Sequence, residues 1–267
     1  MGTADIYHAV MSQVQIARPS AASLYLQLRS NGMELASATG FLVEHDDELY
    51  LVTSRHVVRG RHNATDEPLS PNGAFPDSVT IFHHVAGALG RWIPIDAPLY
   101  KAGEHPKWLE HPTHKGAVDL VALELVRPDS VDVYPYDPFQ KGPSVAVGVT
   151  DIVSIIGFPF GLAAAGKLAI WTQGSVATEP ALDYGNLPCF LVDSRTRPGQ
   201  SGSPVVAYRP PGPVISELGG MSMSVGPVEK FLGVYSGRVH PDSDLGLVWK
   251  ASLIAETIGA KLAGDDL

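Results

Sequence analysis

The chain has 267 residues, 45% of them hydrophobic and 18% charged. This is the profile of a well-packed protein with room for one large domain or two small ones. Its 19 basic and 28 acidic residues leave a net charge of −9, which disfavours duplex DNA or an anionic membrane as the main partner, since both demand clustered Lys and Arg. The single cysteine, Cys189, excludes an internal disulfide and leans toward a reducing compartment.

The N-terminus lacks the basic start and apolar core of a secretory signal. No apolar run reaches the length of a membrane span. The expectation is a soluble, cytoplasmic protein with neither nucleic acid nor membrane as partner. Residues 6–16 place Ile6, Val10, Met11, Val14 and Ile16 at the spacing of a short amphipathic helix. From 23 onward the period changes. Leu24, Leu26 and Leu28 alternate with Tyr25, Gln27 and Arg29, as in a half-buried strand. "ATGFLVE" and "ELYLVTS" follow, joined by the acidic "HDD" in the manner of a hairpin.

Further strand-like runs are "SVTIFHHV", "RWIPIDA", "DLVALELV", "SVAVGV", "IVSIIGF", "LAIWTQGSVA", "CFLVDS", "SPVVAY", "FLGVYSG" and "LGLVWK". Turn residues separate nearly all of them. Residues 59–77 and 209–230 read as loop insertions, and 252–263 returns to helical spacing. Many short strands with Gly/Pro turns and a closing helix predict an all-β, antiparallel barrel or sandwich protein. The Pro- and Asp-rich stretch 127–143 is the softest seam. It divides the chain into an N-terminal helical extension (1–18), a first β unit (19–130) and a second β unit ending in a helix (131–267).

The chemistry concentrates in "RPGQSGSPVV", residues 197–206, where Ser201 stands between Gly199 and Gly202 at the mouth of an apolar strand. A serine nucleophile needs a base, a group that orients the base, and N–H donors aimed at the developing oxyanion. The N–H groups of Gly199 and Ser201 can supply the donors. His56, embedded in "YLVTSRHVVRG", is the candidate base. Asp119, flanked by Val118 and Leu120, is the candidate orienter, ahead of Asp151 and Asp193. A carboxylate inside an apolar strand is expensive to bury unless it accepts hydrogen bonds there.

Other clusters carry less. His105, His111 and His114, with Glu104 and Glu110, fall in "GEHPKWLEHPTH", but Pro106 and Pro112 break any helical face and the spacing matches no standard metal site. A solvated loop is the expectation there, with no metal and no cofactor. His83 and His84 point to opposite faces of a strand and form no chelating pair. Asn63-Ala64-Thr65 is a glycosylation sequon by letters only. Cys189 reads as a core residue.

Six segments fall in one order over residues 20–255: "ATGFLVE", "LVTSRHVV", "VDLVALEL", "IIGFPFGL", "RPGQSGSPVV" and "FLGVYSG". In these the chain resembles the chymotrypsin-fold (trypsin-like) serine peptidases, and among them the bacterial Deg/HtrA-type and glutamyl-endopeptidase-type protease domains, without a PDZ-like stretch after 255. The resemblance implies two antiparallel six-stranded β-barrels with the site in the cleft between them. It implies a serine endopeptidase acting on a protein or peptide substrate through an acyl-enzyme. His56 is then the base, Asp119 its orienter, Ser201 the nucleophile, and Gly199 and Ser201 the oxyanion hole.

The departures are informative. Gln200 stands where digestive members carry an acidic residue that pairs with a new N-terminal amine, so a site formed without zymogen processing is expected. Ser203 replaces a family glycine, and Arg55 precedes the histidine where a small residue is usual. The resemblance also places the specificity pocket among residues 193–200, 235–238 and 245–249, giving Arg195, Thr196, Tyr235, Ser236, Gly237, Arg238 and Gly246 as substrate-binding candidates. An inward Arg195, Arg197 or Arg238 would favour an acidic side chain. The competing reading is a protease-like binding or regulatory module, latent until a partner protein or loop movement opens it.

Overall fold

A computed structural model of the chain describes residues 15–101, 105–139 and 144–264. The helix expected at 6–16 lies almost wholly outside them. A five-residue helix, α1 (Arg18–Ala22), opens the described chain instead.

The first half runs β1 (Ser23–Ser30), β2 (Met33–His45), β3 (Glu48–Thr53), helix α2 (Arg55–Arg59), β4 (Ser78–Val85), β5 (Ala88–Pro98), β6 (Trp108–Leu109), β7 (Val121–Leu125) and β8 (Val131–Asp132). The β2–β3 hairpin closes on Asp46 and Asp47, which have φ of 50° and 66°. Positive φ at both loop residues is the two-residue turn whose twist matches that of the flanking strands, so the acidic "HDD" signal read from the sequence marks a real turn. The alternation in β1 points Leu24, Leu26 and Leu28 into one core. Tyr25 on the opposite face is buried too, in a second core shared with the other half of the molecule.

The second half runs β9 (Ile152–Gly157), β10 (Ile170–Val176), β11 (Cys189–Asp193), β12 (Ser203–Arg209), β13 (Gly212–Ile215), β14 (Met221–Ser224), β15 (Val228–Arg238), β16 (Leu245–Lys250) and helix α3 (Ser252–Ala260). Six of these strands close on themselves in the order β10-β11-β16-β15-β12-β9. Val153, Ile155, Phe190, Val192, Val205 and Val248 fill the barrel interior.

Three expectations need correction. Only one closed six-stranded barrel is present among the described residues. The first half hydrogen-bonds as an eight-stranded sheet, β5-β4-β1-β2-β3-β7-β6, with β8 on β4. Its edge strands are β5, eleven residues long, and β6, two residues long, and among the described residues they do not pair with each other. "SVAVGV" forms no strand: within it only Val145 makes a bridge, to Ser216. Residues 209–230 are not simply a loop, because β13 and β14 pair there as a separate hairpin.

The sheet and the barrel meet over a shared apolar core. Tyr25, Phe41, Tyr50 and Val52 from one pack with Ile156, Phe158, Val206 and Trp249 from the other, and α3 adds Leu253, Ile254 and Ile258. Tyr25 and Phe158 meet edge-on with centroids 5.1 Å apart, an arrangement aromatic rings prefer. This contact sets the loop carrying Ser201, which enters β12, against β2 and β3.

Candidate active site

His56 is the second residue of α2, which starts directly after β3 and is stopped by Gly60 in the left-handed conformation. Asp119 is not inside a strand. It lies in irregular backbone between a 3-10 turn at Lys115–Ala117 and the start of β7. The register of β3 against β7 pairs Thr53 with Val121, so the residues just beyond that pair, His56 and Asp119, come together. One Asp119 oxygen accepts the His56 backbone N–H at 2.8 Å and the other meets His56 Nδ1 at 2.6 Å. The carboxylate thus fixes both the position and the ring orientation of the histidine, and the Nδ1 proton faces it. Burial opposes the imidazolium, but the Asp119 charge and its hydrogen bond outweigh that cost and hold the His56 pKa above the ordinary imidazole value.

Ser201 lies in the turn that leads into β12. It shares with His56 and Gly199 a largely apolar cavity of about 250 Å³, walled by residues 35–38 of β2 and residues 69–76 of the 59–77 insertion. Gly199 has φ of +93°, and a Cβ there would fall on the Phe158 carbonyl oxygen. Gly202 has φ of +84°, and its Cβ would fall on the Thr39 carbonyl and the Thr53 hydroxyl. Both positions therefore require glycine, for conformation and for space. Among the described residues the N–H groups of Gly199 and Ser201 meet no acceptor, so both remain available to a ligand.

The loop is held by its carbonyls. Thr39 donates its hydroxyl to Gly199 O at 2.8 Å and its backbone N–H to Ser201 O at 3.1 Å. The same hydroxyl accepts the Phe158 N–H at 3.1 Å. Thr39 is fully buried and the sequence reading gave it no role. The available signal was its place in "ATGFLVE", but that motif says nothing about which side chain turns toward residues 160 positions away. Gln200, also fully buried, accepts the Arg197 N–H at 2.8 Å and donates to Thr172 Oγ1 at 2.9 Å. Neutral groups complete its hydrogen bonding.

The Ser201 hydroxyl donates to the Ser236 carbonyl at 3.0 Å. Ser236 is free to accept because it is the extra residue where the β15–β16 pairing shifts: Tyr235 faces Val248 and Gly237 faces Leu247. Such a bulge re-aims a backbone group out of the ladder. Thr196, Tyr235, Ser236 and Gly246 are buried beside this point, Gly237 is half-buried, and Arg195, Arg197 and Arg238 are exposed.

The segment around His111 is not a solvated loop. Glu110 and His111 are both buried. Arg55 Nε donates to Glu110 Oε1 at 2.8 Å, and Trp108 Nε1 donates to the same oxygen at 3.0 Å. Arg55 is therefore an internal brace one residue before His56. His111 Nδ1 accepts the N–H groups of Thr113 and His114, leaving Nε2 to donate to Glu256 at 3.0 Å on α3. Asn63 donates its amide to Gly116 O at 2.9 Å, so the sequon nitrogen is engaged in an internal bond. Among the described residues no three His, Cys, Asp or Glu side chains gather as a metal site, and no helix is long and apolar enough to cross a membrane.

The family model for the trypsin-like peptidase domain matches residues 38–209, more than half of the chain. No curated protein matches it. Among solved structures it is similar to the protease Anisep from Arthrobacter nicotinovorans, at 14% identity and a TM-score of 0.52, covering 91% of this chain and 96% of that one. It is also similar to the active form of the Rv3671c protease from M. tuberculosis, at 16% identity and a TM-score of 0.50, covering 100% and 89%. The serine endoprotease from Yersinia pestis matches at 14% identity and a TM-score of 0.50, covering 93% and 67%. At these identities the structural likeness speaks for the fold, while the family model carries the assignment: the chain belongs to the trypsin-like peptidase family and is a trypsin-like serine protease, a hydrolase acting on the peptide bonds of proteins or peptides.

Proposed function

We propose that the protein is an endopeptidase in which Ser201, His56 and Asp119 act as a triad through an acyl-enzyme. The observation that carries this reading is Asp119 gripping His56 by both its backbone N–H and its ring, with Ser201 lining the same cleft. Ser201 Oγ attacks the carbonyl carbon as His56 Nε2 takes its proton. The carbonyl oxygen moves into the N–H groups of Gly199 and Ser201. The C–N bond then breaks, His56 protonates the leaving amine, and water hydrolyses the ester by the reverse proton path.

The Ser201 hydroxyl rests on the Ser236 carbonyl. A substrate strand pairing along Ser236 and Gly237 brings its own N–H to that carbonyl, which releases the Ser201 hydroxyl to His56. Gln200, satisfied by neutral partners, supports a site assembled without a newly cut N-terminal amine. The apolar cavity at residues 35–38 and 69–76 contains no β15 residue, so it lies on the leaving-group side and suits an apolar side chain after the scissile bond. The resting contact of Ser201 with Ser236 is also what a latent, partner-opened site would show.

The test is intact mass after incubation with a fluorophosphonate probe. One adduct is expected on the wild type and none on Ser201→Ala or His56→Ala, with hydrolysis reduced about 10⁴-fold or more in both variants. A folded wild type that takes no adduct supports the latent reading. Full hydrolysis by a clean Ser201→Ala preparation removes the triad.

A further inference from the structure

We infer that the Tyr235 ring is the floor of the pocket for the side chain preceding the cut, and that it limits the substrates to those with a small residue there, such as Gly, Ala or Ser. The inference rests on the triad reading above. With the scissile carbonyl at Ser201, its oxygen on Gly199 and Ser201, and the substrate N–H at Ser236, the preceding side chain points into one crevice. We place that crevice beside the Ser236 carbonyl that Ser201 touches, between the Ser201 loop and β15, toward β16.

Three segments meet at its inner end. The Tyr235 hydroxyl is hydrogen-bonded to Thr196 Oγ1, tying β15 to the loop before the nucleophile. Tyr235 is 2% exposed and Thr196 1%. On the third side is Gly246 of β16, paired with Arg238. A Cβ on Gly246 would fall on the Tyr235 ring, so the ring occupies the space that the missing side chain leaves. Gly246 makes room, Tyr235 takes it, and Thr196 fastens the ring at its far end. A glycine opposite the crevice would otherwise leave a deep slot. The ring fills that space, and the buried Tyr235 and Thr196 hydroxyls are bonded to each other.

This changes the expectation drawn from the arginines. Arg195, Arg197 and Arg238 are all exposed, so the inner end of the crevice is an aromatic ring and not a buried guanidinium. Selection by size follows, and not selection for an acidic side chain.

The test uses the full-length protein and a quenched peptide library varied only at the residue before the cut. Fluorophosphonate labelling of every preparation counts working sites. The wild type is expected to cut after Gly, Ala or Ser at least about 10-fold better than after Leu, Phe, Lys or Glu. Tyr235→Val is expected to raise the Leu-to-Ala and Phe-to-Ala ratios of kcat/KM by about 10-fold or more. Tyr235→Phe, which keeps the ring, keeps the wild-type ranking. If Tyr235→Val loses its cooperative melt, Tyr235→Leu shortens the side chain while leaving apolar filling in place, and the same widening is expected. Efficient wild-type cleavage after Phe, Lys or Glu overturns the inference, as does an unchanged ranking in a labelled, folded Tyr235 variant. In both cases the labelled serine leaves the triad intact. A folded wild type with neither label nor cleavage supports the latent site instead, and this inference falls with the working triad it rests on.

Discussion

Asp119 spends both carboxylate oxygens on His56, and that concentration has a measurable cost in pH range. In the proposed mechanism His56 works as a neutral base. Its pKa is held above the ordinary value of about 6.5, so activity is expected to fall as pH drops through this raised value. Asp119→Asn removes the charge but leaves the burial, so the His56 pKa should fall and the acid limb of the kcat/KM profile should move to lower pH. Activity on the plateau should drop about 10⁴-fold, because the ring is no longer held in the working tautomer. Rate profiles of wild type and variant across pH 5–9 check both effects. A limb that stays in place would mean a group other than His56 governs it. At the same scale Cys189 is fully buried, and burial pushes its thiol up to about 11, so it is a packing residue with no nucleophilic role.

At the scale of elements, the site depends on where strands end and bulge. β3 ends one residue before α2 and so delivers His56. β15 gains Ser236 as an extra residue, and its carbonyl turns to Ser201. β2 supplies Thr39, which pins the Ser201 loop by two carbonyls and, among the described residues, leaves the Gly199 and Ser201 N–H groups without an acceptor. Thr39 is a positioning residue and touches no substrate. Thr39→Val leaves Gly199 O and Phe158 N without their partner, a loss of about 1–3 kcal/mol of stability. Because the loop then loses its aim, kcat should fall about 10-fold or more with KM little changed. Thr39→Ser, which keeps the hydroxyl, should recover most of kcat. Chemical denaturation and steady-state kinetics on the two variants separate the effects, and a KM-only defect would contradict the positioning role.

Over the whole molecule, the two halves share one apolar core, and the polar groups buried around it make stability depend on pH. His83 on β4 is 2% exposed. Burial, helped by neighbouring His84, pushes its pKa down to about 4. The unfolded chain takes up this proton near pH 6.5 and the folded chain only near 4. Between those values the unfolded state binds more protons, so stability falls as pH is lowered. The loss is about 3 kcal/mol at pH 4. Melting temperature should fall between pH 6.5 and 4, and the slope should flatten in His83→Leu. Equal slopes in the two proteins would assign the acid sensitivity elsewhere.

What the sequence by itself determined is local. A period of two marks most of the strands, and the acidic pair Asp46–Asp47 marks a hairpin turn. Six short motifs in order mark the family, which the match over residues 38–209 bears out. These are legible because strand period, turn chemistry and motif spacing are properties of neighbours along the chain. The rest was decided between residues far apart. The first sheet stays open, with the eleven-residue β5 at one edge and the two-residue β6 at the other, and no periodicity reports whether two edges meet. "SVAVGV" alternates like a strand yet lacks a partner ladder. Glu110 and His111 in "GEHPKWLEHPTH" are polar by letters but buried, because Arg55 and Glu256 reach them from other elements. Thr39 on Gly199, Tyr235 on Thr196 and the empty space at Gly246 depend on register and bulges. One residue of slip in a strand turns every side chain to the opposite face, so only the assembled sheets decide which of them reach the site.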